Sequence, residues 1–414
     1  MPIIFRFNLS RFDKFDAMNV LWLASWFPNR TNPTNGDFIE RHAKAVAPFV
    51  KQLTIIAVTK DDTMAADAVD VQKSKEDNIT VYKVYYGKSR WGGYFEKLFS
   101  VKKYLALHQQ IFDELVELHG MPDIVHVHVS MKAGLFARRL KKKWNIPYII
   151  TEHWSGYYKG AKPSVTDFGK LYVSLNKKIF SDASLLTTVS DELGKSINEN
   201  FIKTNYQVVP NVVDTSIFYP ANKQDDNKIK LIHASGMGYE KNPEAIIRAL
   251  SIWKEQGGNF AMHLYGTIYI QLQQLVDDLK LGSEVFFHGE VPQPELARAM
   301  QQADALILYS RYETFGCVLI EANACGLPVI VGDLPVFHEL ITENVNGIFV
   351  KGNDPYLLAE KFASFTMNRW HFNKNAIAEK TAALYCYEAV GKKFAGIYET
   401  VLNDTTRVTL KSSY

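Results

Sequence analysis

The sequence is poor in cysteine. Its 414 residues include only three, Cys317, Cys325 and Cys386, and none has a partner at metal-ligand spacing. A disulfide-stapled miniprotein or a cysteine-ligated metal site needs more than this. We therefore expect a protein of the reducing cytoplasm, held together by hydrophobic cores.

Long apolar runs are missing as well. Runs such as Ala305–Tyr309 and Pro328–Val331 reach four or five residues, whereas a membrane-spanning helix needs ~20. Near the N-terminus, Arg6 and Arg11 interrupt the apolar residues, so no secretory h-region of ~7–15 residues forms there. The pattern predicts neither a spanning segment nor a leader.

The net charge is small, at +3 from 47 Lys and Arg against 44 Asp and Glu. A dedicated nucleic-acid binder would be strongly basic, so we expect no nucleic-acid partner. The charge is uneven, however: residues 1–215 hold 29 basic and 22 acidic residues, or +7, and the remainder hold 18 and 22, or −4. This difference predicts different partners for the two halves.

Short apolar runs alternate with helical stretches along the chain. Strands are predicted at 20–24, 53–58, 123–128, 148–151, 185–189 and 206–209, and, after a polar linker at 215–229, at 230–234, 261–265, 285–288, 305–308 and 328–331. Such runs, separated by crossover helices, are typical of parallel sheets covered on both faces. We predict two doubly wound, Rossmann-like α/β domains whose strand ends face a central cleft.

The segment 310–330 has the strongest functional pattern. Glu313 lies in a turn after a predicted strand, and Glu321 follows eight residues later. Glu321 belongs to a predicted helix that ends at Gly326. A helix that starts near Gly316 offers free N–H groups and positive dipole to a phosphate, and carboxylates accept hydrogen bonds from sugar hydroxyls. Either glutamate alone is typical of an ordinary surface residue, but together they predict a site for a sugar and a phosphate.

This segment resembles the signature of the retaining glycosyltransferases of family 4, which have the GT-B fold. Similar flanking blocks lie at 209–218, 285–305, 338–350 and 387–398, so that the resemblance covers about residues 18–402. It implies an acceptor-side domain at 1–215, a donor-binding domain at 216–387, and a C-terminal helix, about 388–414, that packs back on the first domain. Residues 1–17 precede the family's first strand and are predicted to be an extension without a role in activity.

The resemblance implies roles for residues of the donor-binding domain. Glu321 would hold the ribose hydroxyls, Glu313 the hydroxyls of the transferred sugar, and Lys241 the diphosphate, whose developing charge it would offset. The backbone N–H groups near sugar and phosphate would be those of Thr314, Phe315 and Gly316.

One position departs from the family pattern. Met237 stands where the family usually has an arginine, so half of the cationic clamp on the diphosphate is missing. Arg311, His233 or a group of the first domain are the candidates to replace that charge.

In the first domain, Gly36 resembles the glycine of a loop that approaches the donor diphosphate, since only glycine lets the backbone come so close. Asp37 beside it is a weaker contact. His153 follows a predicted strand, at the place of a family histidine that contacts the transferred sugar. His126 and His128 are two residues apart on the preceding strand, so both side chains are on the same face of the sheet. There they would line the acceptor site or serve in packing.

We therefore predict retaining transfer from a nucleotide sugar, UDP- or GDP-linked, to a glycan or lipid-linked acceptor. No cofactor and no metal are expected, because no Asp-x-Asp segment stands in a suitable context. Two alternatives stay open. One is another GT-B enzyme, such as a sugar-nucleotide epimerase or a phosphorylase, and the other is a non-catalytic nucleotide-sugar binder, which the departure at Met237 motivates.

Two segments rich in basic and aromatic residues, 88–99 and 138–144, predict contact with an anionic membrane. The competing interpretation is a solvated helix face with its indole in the core. Peripheral contact would suit a lipid-linked acceptor and would place the protein in the cytoplasm, at the inner face of the membrane. Co-sedimentation with liposomes at low salt tests it.

Overall fold

The computed structural model describes residues 18–89, 96–223 and 228–411. The chain forms two compact units. One comprises the chain up to Pro210 together with the segment from Tyr387 onward, and the other is Asn211–Cys386. The predicted N-terminal extension, residues 90–95 and part of the predicted linker lie outside the described residues.

The first unit is an α/β sandwich. Its strands are β1 (Asn19–Ala24), β2 (Gln52–Lys60), β3 (Val69–Glu76), β4 (Ile79–Tyr86), β5 (Ile124–His128), β6 (Tyr148–Glu152), β7 (Leu185–Thr188) and β8 (Tyr206–Val208). Its helices are α1 (Asp37–Val46), α2 (Glu96–His119), α3 (Ala133–Trp144), α4 (Lys170–Asp182), α5 (Asp191–Asn200) and, at the other end of the chain, α12 (Tyr387–Lys411). The sheet order is β3-β4-β2-β1-β5-β6-β7-β8, and β3 alone runs antiparallel to its neighbour.

The predicted strands of this unit are confirmed to within a few residues. Most, such as β1, β2 and β5, are apolar runs buried in the sheet, whereas the edge strand β8 is largely exposed. Two strands were missed, β3 and β4. Strand β3 lies at the edge, and most of its residues are exposed, so it needs no apolar run. Its lysines, Lys73 and Lys75, are typical of an edge that avoids pairing with another chain.

Helix α12 packs closely on α1. A Cβ on Gly391 would lie only 2.0 Å from the Ala45 carbonyl oxygen, so only glycine allows this approach. The buried Tyr398 hydroxyl accepts a hydrogen bond of 3.1 Å from Trp22 Nε1 on β1. The C-terminal helix is therefore part of the core of the first unit.

The second unit repeats the architecture with a smaller, wholly parallel sheet. Its strands are β9 (Ile229–Ala234), β10 (Phe260–Tyr265), β11 (Val285–Gly289), β12 (Ala305–Leu308), β13 (Val329–Gly332) and β14 (Gly347–Val350). Its helices are α6 (Pro243–Glu255), α7 (Ile270–Asp278), α8 (Gln293–Gln301), α9 (Cys317–Ala324), α10 (Pro355–Asn368) and α11 (Lys374–Tyr385). The order is β11-β10-β9-β12-β13-β14.

The predicted α/β class is confirmed: the second sheet is wholly parallel, and the first is parallel except for β3. Strand β14 was missed as a strand. Among the described residues, no helix is both long enough and apolar enough to cross a bilayer.

Candidate functional site

The loops after β9 and β12 bring Lys241 and Glu313 together. These strands are parallel neighbours in the sheet, so their carboxyl ends meet at one edge. Lys241 ends a 3-10 helix, Tyr239–Lys241, and its Nζ donates a hydrogen bond to Glu313 Oε1. Ser310 Oγ donates to the same oxygen over 3.1 Å. Burial works against the charged ammonium, but the Glu313 carboxylate more than offsets it, so the pKa of Lys241 lies above its ordinary value.

Helix α9 starts beside this ion pair. Gly316 caps it with φ 90°, a left-handed conformation that favours glycine, and a Cβ there would lie 3.2 Å from both Leu319 Cδ1 and Phe337 Cε1. Phe315 anchors the loop, with its buried ring edge-on to Tyr385 at 6.1 Å. The loop that includes Thr314 is thus held so that the start of the helix lies next to Glu313.

Glu321 lies about one turn into α9. Its side chain is buried although the helix is otherwise almost entirely apolar. A carboxylate is rarely kept in such surroundings for packing. Glu321 thus lies buried in the helix that Gly316 caps.

The side chain of Met237 is buried in a hydrophobic core. The φ of Met237 is 55°, and its side chain packs in the second unit, among residues of α6 and the sheet. An arginine with this orientation would bury its charge among apolar side chains, at a high free-energy cost. The family position is therefore used here for packing.

Arg311 and His233, two residues predicted to replace the missing arginine charge, already have hydrogen-bond partners within the protein. Arg311 Nη2 donates to Glu244 Oε1 over 2.5 Å, and its Nη1 donates to the Tyr239 carbonyl. His233 has Nδ1 at 2.8 Å from the Ile307 carbonyl oxygen and Nε2 at 2.7 Å from a serine hydroxyl, and burial lowers its pKa to about 4. His233 is therefore neutral at pH 7, and Lys241 is the cation that the second unit brings to Glu313.

In the first unit, His126 is enclosed. Its Nδ1 lies 2.7 Å from the Tyr398 hydroxyl and its Nε2 lies 2.6 Å from Thr151 Oγ1. Burial lowers its pKa well below the ordinary value. With both nitrogens bonded inside the protein, no ring atom remains for an acceptor, and of the two predicted interpretations the geometry favours packing.

His128 and His153 lie together, with His128 Nδ1 3.5 Å from His153 Nε2. Burial lowers the pKa of both rings well below the ordinary value. The ring of a third histidine, His42 of α1, lies 5.6 Å from the His153 ring, centroid to centroid. Burial lowers the pKa of His42 to about 4. Sequence reasoning missed His42, because one histidine within an amphipathic helix gives no signal of its own.

Beside His153, Glu152 is a fully buried carboxylate. It accepts hydrogen bonds from the backbone N–H groups of Ser130, His153 and Trp154, at 3.0 to 3.2 Å, and from the Tyr157 hydroxyl. Burial raises its pKa. No sequence pattern singles it out, yet it fixes the backbone that carries His153.

Gly36 caps α1 with φ 71°. A Cβ on it would lie 2.9 Å from the Trp26 carbonyl carbon and 3.1 Å from the Phe27 nitrogen. Asp37, the next residue, pairs with Arg41 Nη2 at 3.0 Å within the same helix. Both residues thus have structural contacts of their own, in addition to their predicted contacts with a ligand.

Gly36→Ala is expected to lower the free energy of unfolding by roughly 3 kcal/mol, since left-handed strain and overpacking each cost ~1–3 kcal/mol. Gly120→Ala is the matched control. Gly120 has φ 80° and nothing within 4 Å of its Cβ position, so it tests the strain alone, at about 1 kcal/mol. Urea unfolding of both variants measures the difference. Equal losses would contradict the backbone clash at Gly36.

The basic segment 138–144 is partly accounted for by packing. Arg138 Nε and Lys141 Nζ each donate to Asp182 of α4 over 2.5 Å, and the Trp144 ring packs 5.2 Å from that of Phe112. Its exposed basic residues are Arg139, Lys142 and Lys143. Most of the aromatic part of the segment 88–99 lies outside the described residues, so contact with an anionic membrane stays a prediction.

Two family models match the chain. Glycosyltransferase Family 4 covers residues 52–217, and Glycosyl transferases group 1 covers residues 215–383. The two matches follow one another along the chain and extend over both compact units.

The curated relatives are distant. A D-inositol 3-phosphate glycosyltransferase of Paenarthrobacter aurescens is 26% identical over 269 residues, which are 58% of this chain and 63% of that protein. The match thus spans less than two thirds of that relative. An uncharacterized glycosyltransferase of Methanocaldococcus jannaschii is 28% identical over 272 residues, 66% of this chain and 73% of the relative.

Solved structures share the fold at low sequence identity. Sucrose-phosphate synthase from Thermosynechococcus elongatus aligns with a TM-score of 0.75 and 17% identity, over 93% of this chain and all of that one. The Anabaena protein HepE, in complex with UDP-glucose, aligns with a TM-score of 0.67 and 14% identity, over 92% of this chain and 100% of that one. These likenesses confirm the predicted GT-B fold. The two family models, which together span residues 52–383, show that the chain belongs to family 4 of the retaining glycosyltransferases.

Proposed function

We propose that this protein transfers a sugar from a nucleotide-sugar donor to a glycan or lipid-linked acceptor, with retention of configuration and without a metal ion. The single observation that carries the proposal is the ion pair of Lys241 and Glu313 beside the glycine-capped start of α9. It combines a cation and a helix N-terminus, both suited to a diphosphate, with a carboxylate suited to a sugar.

Lys241 would offset the charge that develops on the departing diphosphate. Its raised pKa keeps it protonated at neutral pH. A charge held in place before the reaction stabilises the transition state without reorganisation. Since Met237 is buried and Arg311 is bound to Glu244, we assign this task to Lys241, with the N–H groups at the start of α9 as its partners.

Glu313 would position both Lys241 and the sugar. In the described part of the chain, the hydrogen bonds to Glu313 end on Oε1, so Oε2 remains to accept from a sugar hydroxyl. Glu321, in the helix that follows this loop, would accept from the ribose hydroxyls. The two carboxylates would then hold the two ends of a nucleotide sugar.

Retention follows if the acceptor attacks from the face that the diphosphate leaves. The bond from the anomeric carbon to the phosphate oxygen breaks, the bond to the acceptor oxygen forms, and the departing phosphate takes the acceptor's proton. The sugar passes through an oxocarbenium-like state, and no protein nucleophile is required, in contrast to a double displacement. On the donor side, the reaction then needs only Lys241 to stabilise the departing diphosphate and Glu313 to position the sugar.

From the first unit, we retain Gly36 as the loop that approaches the diphosphate and His153 as a contact of the transferred sugar. His153 keeps 5% exposure, whereas His126 and His128 are fully buried. For His126 and His128, packing is better supported than an acceptor contact, and Asp37 is bound to Arg41. The UDP-glucose bound to HepE favours a UDP-sugar over a GDP-sugar as donor.

Acceptor-dependent release of nucleotide tests the proposal. A thermal-shift screen of UDP-, GDP- and ADP-sugars first selects the donor, and release is then measured with and without glycan and lipid-linked acceptors. A transferase releases nucleotide only with an acceptor. An epimerase would isomerise the donor without release, a phosphorylase would need inorganic phosphate, and a non-catalytic binder would shift the melting temperature without turnover.

A further inference from the structure

We infer that His42, His128 and His153 form a binding site for a divalent late first-row transition metal, such as zinc. The three side chains come from α1, the end of β5 and the residue after β6, which the parallel sheet brings together. One ring nitrogen from each residue lies within 4.8 Å of the other two. All three residues are buried.

The rings form a nearly equilateral triangle. Their centroids are 6.2 Å apart for His42 and His128, 5.6 Å for His42 and His153, and 5.8 Å for His128 and His153. Three imidazoles on one tetrahedral zinc, with Zn–N bonds of ~2.0–2.1 Å, have centroids about 5 Å apart. Small side-chain rotations therefore close the triangle around an ion.

Two of the rings turn a nitrogen toward each other, His128 Nδ1 and His153 Nε2, 3.5 Å apart. His42 Nε2 donates to the Pro210 carbonyl over 3.0 Å, which leaves the lone pair on Nδ1. His42 Nδ1, His128 Nε2 and His153 Nδ1 are buried without a hydrogen-bond partner in the described structure. A buried nitrogen without a partner is costly, and a metal-binding histidine usually donates its other N–H to a carbonyl or carboxylate. His42 has this arrangement already.

The surroundings suit a cation. Imidazole binds a metal in its neutral form, which burial favours for all three rings. The buried Glu152 accepts from the backbone N–H of His153 at 3.0 Å, and so fixes the backbone that carries this ring. Nitrogen ligands in this number select zinc, cobalt, nickel or copper over magnesium or calcium.

Binding at this site does not depend on sugar transfer. The metal-free transfer proposed above concerns the donor diphosphate, whereas these ligands belong to the first unit. Because His153 is also the proposed sugar contact, an ion here would withdraw it from the donor. That inhibition rests on the proposed function, but the site itself does not.

Cobalt titration of the full chain, followed by visible absorption, tests the inference. We expect one tightly bound equivalent, with the intense d–d bands of four-coordinate cobalt, and at least a tenfold loss of affinity in His42→Gln and in His128→Gln. His263→Gln is the control. Its ring and that of His288 form a more exposed pair, with Nδ1 and Nε2 2.9 Å apart, so this variant should keep the tight site.

His42→Cys covers the case in which a glutamine variant fails to fold. A thiolate is also a zinc and cobalt ligand, so this variant should still bind cobalt, with a new sulfur-to-cobalt charge-transfer band. A residue that only packs would give no such band. Loss of the tight site in His263→Gln, its survival in both glutamine variants, or no tight binding to the wild-type protein would overturn the inference.

Discussion

Lys241→Met is expected to slow sugar transfer by a factor of ~10²–10³, the range found when one preorganised group is removed from a developing charge. Methionine keeps most of the volume of the lysine stem and removes only the cation. Because Lys241 is held by Glu313, its position is fixed before the donor binds. The loss should therefore fall on kcat, measured under saturating donor.

The same change also affects stability. Removing the cation leaves the Glu313 side chain, only 8% exposed, without its partner. We expect a loss of about 3 kcal/mol, at the low end for buried pairs because the Lys241 side chain keeps 23% exposure. Lys241→Met combined with Glu313→Gln should recover much of this stability, since neither residue then leaves a buried charge. It should recover none of the activity.

Lys254→Met is the matched control for this experiment. Lys254 pairs with Glu284 at 2.9 Å in the same unit, so the variant breaks a comparable ion pair away from the loop after β12. Its transfer rate should stay within a factor of about two of the wild type, because no preorganised charge near the donor is lost. A rate in Lys241→Met that matches this control would refute the assignment of Lys241 to the diphosphate.

Glu321→Gln should raise the Kd for the donor by roughly 10- to 100-fold, since hydrogen bonds to a charged group contribute about 1.5–3 kcal/mol. Glutamine preserves the shape of the side chain within α9 and removes the charge that would accept from the ribose hydroxyls. Calorimetric titration with the selected nucleotide sugar measures the change. The kcat should change little, because the ribose contact is the same in ground and transition states.

Glu284→Gln serves as the control for Glu321→Gln. Its side chain is also mostly buried, at 17% exposed, and it lies in the same unit, but outside the proposed site. We expect no change in its donor Kd. If Glu321→Gln bound the donor as tightly as Glu284→Gln does, the ribose assignment would be wrong.

The parts of the fold that could be predicted from sequence are those where burial imposes composition. Strands such as β1 and β5 are apolar because helices cover both faces of the sheet. The edge strand β3 escaped prediction because nothing forces its outward residues to be apolar. The hydrophobic pattern of the sequence thus identifies the central strands of each sheet better than the edge strands.

The candidate functional site, like the fold, could be predicted only in part from the sequence. The spacing of Glu313, Gly316 and Glu321 already indicated a turn followed by a helix start, since both ends of that helix have sequence signals. The burial of Met237 could not be predicted, because it depends on a positive φ in a Gly-Met-Gly loop. The histidine triangle was missed for a related reason, as its members come from three separate elements that only the tertiary fold brings together.

Proton NMR of the product's anomeric centre, followed over time, tests the central claim most directly. With an α-linked nucleotide sugar and the acceptor found by the release assay, the wild-type protein should form an α-linked product. Lys241→Met should form the same product at least a hundredfold more slowly, and Lys254→Met should match the wild type. A β-linked product, or equal rates for the two lysine variants, would contradict retaining transfer at the Lys241–Glu313 site.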